Sequence, residues 1–220
     1  MTDSFEKQAA LAAASILLET ESVHFRPDEP YTFTSGRKSP VYIDCRRLIS
    51  FPRARAKLMD LGAEMILRRV GYESLDAIAG GETAGIPFAA WIAERLALPM
   101  LYIRKKSKGF GRMAQIEGEM KEGARVLLVE DLASEGTSKI NFVNAIRAAG
   151  GQIAHTFVVF HYGIFPSIDQ VLGSAGVALH GLTTWHDVLA LAHQRGSFTE
   201  SQYLAIKSFL DDPEGWKAPE

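Results

Sequence analysis

The sequence is poor in cysteine and carries no excess of positive charge. Cys45 is the single cysteine among 220 residues, which excludes an internal disulfide framework and a multi-cysteine zinc site. The formal net charge is -2 and the sequence pI is about 6.3, so no global positive field attracts nucleic acid or an anionic membrane. We therefore expect a cytoplasmic protein whose partners include no nucleic acid and no membrane, and in which any anion site is local.

The chain also lacks a long hydrophobic run. The apolar stretch at residues 9–18 is too short to span a bilayer, and Asp3 and Glu6 precede it where a signal peptide would carry positive charge. Its apolar residues recur at helical spacing, which predicts an amphipathic first helix packed on the core.

Several catalytic and cofactor motifs are missing. No H-E-x-x-H zinc motif, nucleophile elbow, Walker loop or repeat occurs in the sequence. Residues 109–114 fit the dinucleotide pattern G-x-G-x-x-A, but lysines separate them from the preceding strand, and Gly118 and Gly123 interrupt the place of the crossover helix. Covalent hydrolysis and nicotinamide chemistry are therefore disfavoured.

The pattern beyond residue 75 alternates between strand and helix. Short apolar runs at 75–79, 100–103, 126–129, 153–160 and 177–179 are mostly separated by stretches of helical period. This predicts an α/β fold with a mostly parallel central sheet covered by helices on both faces, with ligands at the carboxyl ends of the strands. Further helices are predicted at about 52–70, 185–193 and 200–210, and loops with short strands at 26–40.

Residues 126–138 place an apolar strand, two acids and a small-residue loop in succession. Amides at a helix N-terminus, together with the hydroxyls of Ser134, Thr137 and Ser138, can surround a phosphate, and Gly136 permits close backbone approach. The simpler alternative is that Ser134 or Thr137 only caps the helix.

The two acids of this segment, Glu130 and Asp131, stand at the predicted end of the strand. Their oxygens could accept hydrogen bonds from a ribose diol or support a hydrated magnesium ion. The alternative for Asp131 is an ordinary turn residue.

Two more segments could contact an anion. Residues 80–87 follow a strand and begin a helix, offering free amides to a diphosphate, although a plain glycine turn is the simpler alternative. Residues 104–112 contain five cations, no acid and two glycines. They could close over a polyanion and exclude water, or form a solvated basic loop.

Together these segments resemble the type I phosphoribosyltransferases, whose motif for 5-phosphoribosyl diphosphate is an apolar strand, two acids and a Thr/Ser-Gly loop. Residues 130–138 match it. Residues 33–40, Phe-Thr-Ser-Gly-Arg-Lys-Ser-Pro, are similar to the early signature of the orotate-specific members, and residues 104–108 are similar to their catalytic loop. The resemblance covers about residues 31 to 150.

The resemblance implies a single domain over 1–220: a helix and a small base-binding hood at about 1–50, a core sheet at about 51–180, and C-terminal helices at about 181–220. It implies transfer of ribose 5-phosphate from 5-phosphoribosyl 1-diphosphate to orotate, giving orotidine 5′-monophosphate and diphosphate in UMP biosynthesis. It further implies Mg²⁺ held mainly by the substrate, and a homodimer that shares the loop 104–112 across its interface.

The resemblance also assigns residues, with Lys105, Lys108, Glu130 and Asp131 as catalytic groups. The hood signature contributes Thr34, Arg37, Lys38, Tyr42 and Ile43. The diphosphate would contact Thr83, Ala84, Arg104, Lys105 and Lys108, the ribose would contact Glu130 and Asp131, and Lys106 would be a further substrate-binding residue. The 5-phosphate would lie against Ser134, Glu135, Gly136, Thr137 and Ser138, and Leu132 and Ala133 would be further substrate-binding residues.

The chain departs from this pattern at four places. Phe110 replaces a loop histidine found in many relatives, Ala84 replaces a lysine found in some, and Glu135 adds a negative charge to the phosphate loop. No arginine for the orotate carboxylate is evident around residues 161–162. Two alternatives therefore remain: a transferase for another base, or a regulator that senses 5-phosphoribosyl diphosphate without catalysis.

Overall fold

The computed structural model describes residues 4–33, 36–107, 109, 115–134 and 137–218, with the backbone alone for residues 137 and 138. Within these residues the helices are α1 Ser4–Glu19, α2 Pro52–Arg69, α3 Gly85–Leu96, α4 Thr137–Ala148, α5 Ser167–Ser174, α6 Trp185–Gln194 and α7 Glu200–Asp211. The strands are β1 Val23–Phe25, β2 Tyr31–Thr32, β3 Lys38–Ser39, β4 Val41–Ile43, β5 Ala77–Gly81, β6 Met100–Ile103, β7 Ile116–Glu117, β8 Arg125–Ala133, β9 Gln152–His161 and β10 Ala178–Thr184.

The central sheet has the strand order β10-β9-β8-β5-β6-β7 in the described part of the chain. Its neighbouring strands pair in parallel, except that β7 runs antiparallel to β6. The predicted α/β class with a mostly parallel central sheet is confirmed. Because β5, β6 and β8 are neighbours and run the same way, the loops that follow them meet at one edge of the sheet.

Helices cover both faces of this sheet, as predicted. One apolar core packs α1, α2, α3, α6 and α7 against one face, and a second core packs α4 and α5 against the other. Residues 126–129 of β8 are buried on both faces, which explains why the sequence shows a continuous apolar run there rather than an alternating one.

The N-terminal part forms two small antiparallel pairs, β1 with β4 and β2 with β3, in line with the predicted short strands. A 3-10 helix, Cys45–Ser50, connects them to α2. The side chain of Asp44 begins this helix, since it accepts hydrogen bonds from the backbone N–H of Arg46 at 3.1 Å and from its Nε at 2.7 Å. Pro52 stands in the first turn of α2, where its missing N–H is no loss.

The two C-terminal helices begin at complete capping boxes, formed by Thr184 with Asp187 and by Thr199 with Gln202. Two features differ from the sequence expectation. Strand β8 continues to Ala133, so both acids lie inside the strand rather than at its end. The short helix α5 was not predicted: Ile168, Val171 and Leu172 recur at helical spacing, but the helix has only eight residues.

Helix α3 packs directly on β8 because its first residue is a glycine. A Cβ added at Gly85 would lie 2.5 Å from the carbonyl oxygen of Val129 and 3.3 Å from Cα of Glu130. Real Cβ atoms do not approach a backbone oxygen this closely, so any side chain here displaces the helix from the strand.

We expect Gly85→Ala to lower the free energy of unfolding by about 1–3 kcal/mol through this overpacking, measured by urea denaturation. Gly173→Ala in α5 is the matched control, because a Cβ there meets no atom within 4 Å, and alanine should stabilise that helix by roughly 0.5–1 kcal/mol. Equal effects of the two substitutions would contradict the close packing of α3 on β8.

Candidate active site

A cavity of about 500 Å³ lies at the carboxyl ends of β5 and β8, beside the segment that follows β6. Gly81 pairs with Ile103 and Gly80 pairs with Val129 in the sheet, which brings these strand ends together. The cavity is lined by Arg46, Glu82, Thr83, Ala84, Lys105, Glu130, Asn141 and Phe142. The structure thus gathers four of the predicted site residues, Thr83, Ala84, Lys105 and Glu130, around one space.

Glu130 is a buried acid held by a buried lysine. Its Oε2 lies 2.5 Å from Nζ of Lys139, and Nζ also donates to the backbone oxygen of Leu132 at 2.7 Å. Glu130 is 8% exposed and Lys139 3%. The carboxylate fits because its neighbours are glycines: a Cβ at Gly81 would lie 2.8 Å from its Oε1, and one at Gly85 would lie 3.3 Å from its Cγ.

Asp131 faces the other way, as successive residues of a strand do. It is half-buried, and burial together with the negative charge of Glu130 raises the pKa of its carboxyl. Its own charge helps to raise the pKa values of the Cys45 thiol and the Tyr162 phenol, although burial is the main cause for both. Asp131 therefore lies toward the N-terminal part of the chain, whereas Glu130 lies toward α4.

Glu82 ties together the two loops that follow β5 and β6. Its backbone N–H donates to Ile103 at 2.8 Å, and its Oε2 accepts the backbone N–H of Lys105 at 2.7 Å. This arrangement places Lys105 beside the cavity of its own chain. Lys106 is exposed, and Arg104 does not line this cavity, since its Nη1 donates to Glu117 at 3.2 Å.

The predicted orotate contacts lie in the N-terminal part and outside the lining of this cavity. The ring of Tyr42 is part of an aromatic cluster with His24, Tyr31 and Phe33. The guanidinium of Arg37 lies 5.1 Å from the ring centroid of Phe165, in the loop that follows β9. Lys38 is exposed and Ile43 is buried.

The phosphate-loop residues are only partly described. Ala133 is buried and Leu132 and Ser134 are half-buried at the end of β8, and the backbone of Thr137 and Ser138 forms the start of α4. Thr34, Glu135, Gly136 and Lys108, together with the departure at Phe110, lie outside the described residues.

Five residues at or beside the cavity were not predicted: Arg46, Glu82, Asn141, Phe142 and Lys139. Helical spacing offers a signal for Asn141, which stands one turn after Thr137 in α4. Arg46 belongs to a 3-10 helix that is distant in sequence from the other lining residues. No local sequence pattern indicates that it lines the cavity.

Away from the predicted site residues, the described part of the chain contains a second and larger cavity. This cavity of about 830 Å³ between α1, α2, β10 and α6 contains none of them. The described residues hold no group of three or more side chains arranged for a metal ion. None of the helices described is both long enough and apolar enough to cross a membrane.

Comparison with known proteins first identifies the class of protein to which the chain belongs. Residues 54–164, half of the chain, match the model of the phosphoribosyl transferase domain, so the fold is that of a phosphoribosyltransferase. Curated relatives named orotate phosphoribosyltransferase include that of Dinoroseobacter shibae, 57% identical over 98% of this chain and 96% of the relative. Another is that of Roseobacter denitrificans, 56% identical over 96% and 94%.

Similar solved structures support the same family. Orotate phosphoribosyltransferase from Aeropyrum pernix superposes with a TM-score of 0.68 at 28% identity, covering 84% of this chain and 99% of that one. UMP synthase from Leishmania donovani gives 0.77 at 28% identity, covering 93% of this chain but only 42% of that longer protein. The chain belongs to the orotate phosphoribosyltransferase family, which confirms the resemblance seen in the sequence.

The raised pKa of Asp131 predicts how the stability of the fold changes with pH. An acid whose pKa is higher in the folded than in the unfolded state destabilises the fold above that pKa, and the penalty disappears as the pH falls below the ordinary value. We expect Asp131→Asn to raise the thermal midpoint at pH 7, by about 2–4 °C for each 1 kcal/mol relieved, and the gain to shrink toward pH 4.

Asp76 supplies a control of opposite sign. Its hydrogen bonds and ion pair with Arg125 lower the pKa of its carboxyl, so Asp76→Asn should lower the midpoint at pH 7 and converge with wild type in acid. The effect should be small, because this pair is largely exposed. A drop in midpoint for Asp131→Asn at pH 7 would refute the burial cost assigned to that group.

Proposed function

We propose that this chain is an orotate phosphoribosyltransferase. It transfers ribose 5-phosphate from 5-phosphoribosyl 1-diphosphate to orotate, releasing diphosphate and giving orotidine 5′-monophosphate for UMP biosynthesis. The observation that carries this is the cavity in which Lys105, the Thr83–Ala84 loop and Glu130 meet at the strand ends, in a chain 57% identical to a named orotate phosphoribosyltransferase.

The diphosphate would lie among the cations of this cavity. Arg46 and Lys105 enter it from different segments and offer charge-assisted hydrogen bonds to phosphate oxygens. Thr83 and Ala84 precede the first residue of α3, so the N–H of Gly85 can add to the anion site, whereas the N–H of Ile86 donates to the backbone oxygen of Thr83 and Pro87 has none. Positive charge at this place stabilises the diphosphate as it leaves.

The sugar would lie along the end of β8. Glu130 borders the cavity and accepts hydrogen bonds from ribose hydroxyls, and Asp131 supports the positive charge that develops at C1. The 5-phosphate would lie at the start of α4, against residues 132–138, where the first amides of the helix have no partner within it.

Orotate would be covered by a hood formed from about residues 1–50, with the core sheet at about 51–180 and the last helices at about 181–220 within one domain. The aromatic cluster around Tyr42 offers flat surfaces for a base. Arg37 reaches the loop after β9 and is our candidate for the orotate carboxylate, since residues 161–162 supply no arginine.

Mg²⁺ would enter with the substrate. The carboxylates of Glu130 and Asp131 face opposite sides of β8, and Glu130 is already bound by Lys139, so the pair fits an ion held mainly by diphosphate and ribose oxygens better than an all-protein cage. When bound, the ion supplies charge neutralisation on the diphosphate. We place this reaction in the cytoplasm, which the free, buried Cys45 thiol suits.

The direct test is orotate consumption followed by its absorbance. We expect the signal to fall only when orotate, 5-phosphoribosyl diphosphate and Mg²⁺ are all present, and to stop when any one is omitted. Folded protein that consumes no orotate would overturn the assignment. Turnover of adenine, hypoxanthine or uracil instead would indicate a transferase for another base, and ligand binding without turnover of any base would indicate a sensor.

The shared loop has its own test. We propose a homodimer in which Lys108 serves the site of the partner, while Lys105 stays beside the cavity of its own chain. Co-expressed Lys108→Ala and Asp131→Asn chains should then regain about a quarter of wild-type activity, because half of randomly paired dimers contain one intact site of two. Each variant expressed alone is the control, and a mixture no more active than the average of the two would refute sharing.

A further inference from the structure

Lys139 is a charged residue that no assignment above places in contact with substrate. It stands in the first turn of α4, is 3% exposed, and directs Nζ to Oε2 of Glu130 at 2.5 Å and to the backbone oxygen of Leu132 at 2.7 Å. Both partners belong to β8. A buried ammonium is costly unless it is paired in this way, so its presence at the edge of the cavity calls for an explanation.

The carboxylate of Glu130 is confined on three sides. Lys139 binds one oxygen, Gly81 leaves room for the other, and Gly85 leaves room for Cγ. The remaining side is the cavity, where Arg46 and Lys105 are the cationic lining residues. These two are therefore the cations toward which the carboxylate could turn if Lys139 were absent.

The charge balance of the cavity depends on the same contact. Its charged lining residues are two cations, Arg46 and Lys105, and two acids, Glu82 and Glu130. Without Lys139 the lining would be neutral overall, whereas with it the balance is positive. A substrate that carries a diphosphate and a further phosphate needs the positive balance.

We infer that Lys139 is a positioning residue that holds Glu130 away from Arg46 and Lys105, so that these cations stay available to the diphosphate. The inference rests on the proposed function, in that the cavity is taken as the site of 5-phosphoribosyl diphosphate. Lys139 touches no substrate itself and acts through Glu130. The same contact to Leu132 joins the start of α4 to the end of β8.

This role predicts a defect specific to one substrate. Lys139→Met removes the charge but keeps most of the side-chain volume, which frees Glu130 to pair with Arg46 or Lys105. We expect the Kd and KM for 5-phosphoribosyl diphosphate to rise roughly 10- to 100-fold, the range that follows from misplacing a group in a charged site. The KM for orotate should change less than about threefold.

A double variant separates positioning from simple stability. In the Glu130→Gln background the competing carboxylate is gone, so Lys139→Met should raise the Kd for 5-phosphoribosyl diphosphate by less than about twofold. Thr156→Val is the matched control, since Thr156 of β9 is fully buried and its hydroxyl donates to the backbone oxygen of Leu128 in β8, the strand that carries Glu130, at 3.1 Å. It should lower the thermal midpoint and leave Kd unchanged.

Calorimetry of 5-phosphoribosyl diphosphate without orotate keeps this test independent of turnover. Wild type that binds the ligand but transfers nothing to orotate would end the proposed function and leave the inference standing. A Lys139→Met protein that binds within about twofold of wild type, or an unchanged penalty in the Glu130→Gln background, would overturn the inference. If Lys139→Met does not fold, Lys139→Gln carries the same expectations, because its amide can still donate to Leu132.

Discussion

A buried ion pair between Lys139 and Glu130 allows an acid to lie inside β8, directly after the apolar residues 126–129. An unpaired carboxylate there would carry a large desolvation cost, and so would an unpaired lysine. The pair also joins α4 to β8, the two elements that flank the predicted phosphate loop. The proposed sugar and phosphate sites would therefore both depend on this one contact between α4 and β8.

Small residues make that contact sterically feasible. Gly81 and Gly85 lie against the Glu130 side chain, and a Cβ at either would collide with it or with β8. The parallel order of β6, β5 and β8 then delivers the three following loops to one edge. Glu82 fixes two of these loops to each other through its hydrogen bond with Lys105. The cavity thus depends first on the close approach of the strand ends and glycines, and only then on the charged side chains that line it.

The alternation of strands and helices could be predicted because each apolar run in β5, β6, β8 and β9 is local in sequence. The end of β8 could not. Glu130 and Asp131 have low strand propensity, but β9 pairs with β8 as far as Ala133 and its partner His161, and this extends the strand through both acids. Arg46 and Lys139 were missed for a related reason: each acquires its role from a partner in another element, and only the folded chain brings them together.

Arg46 supplies a positive charge to the cavity from the 3-10 helix rather than from the loop that follows β5. Ala84 stands where some relatives carry a lysine, which would leave the diphosphate loop without a cation of its own. Arg46 enters the same cavity from the 3-10 helix that follows the N-terminal strands. Its hydrogen bond with Asp44 at 2.7 Å is the main cause of its raised pKa, and the charge of Asp131 is the smallest. A cation supplied from this side would couple the proposed base-binding hood to the proposed diphosphate site. Closure of the hood over orotate and retention of the diphosphate would then share one side chain, a coupling that a lysine in the core loop would not provide.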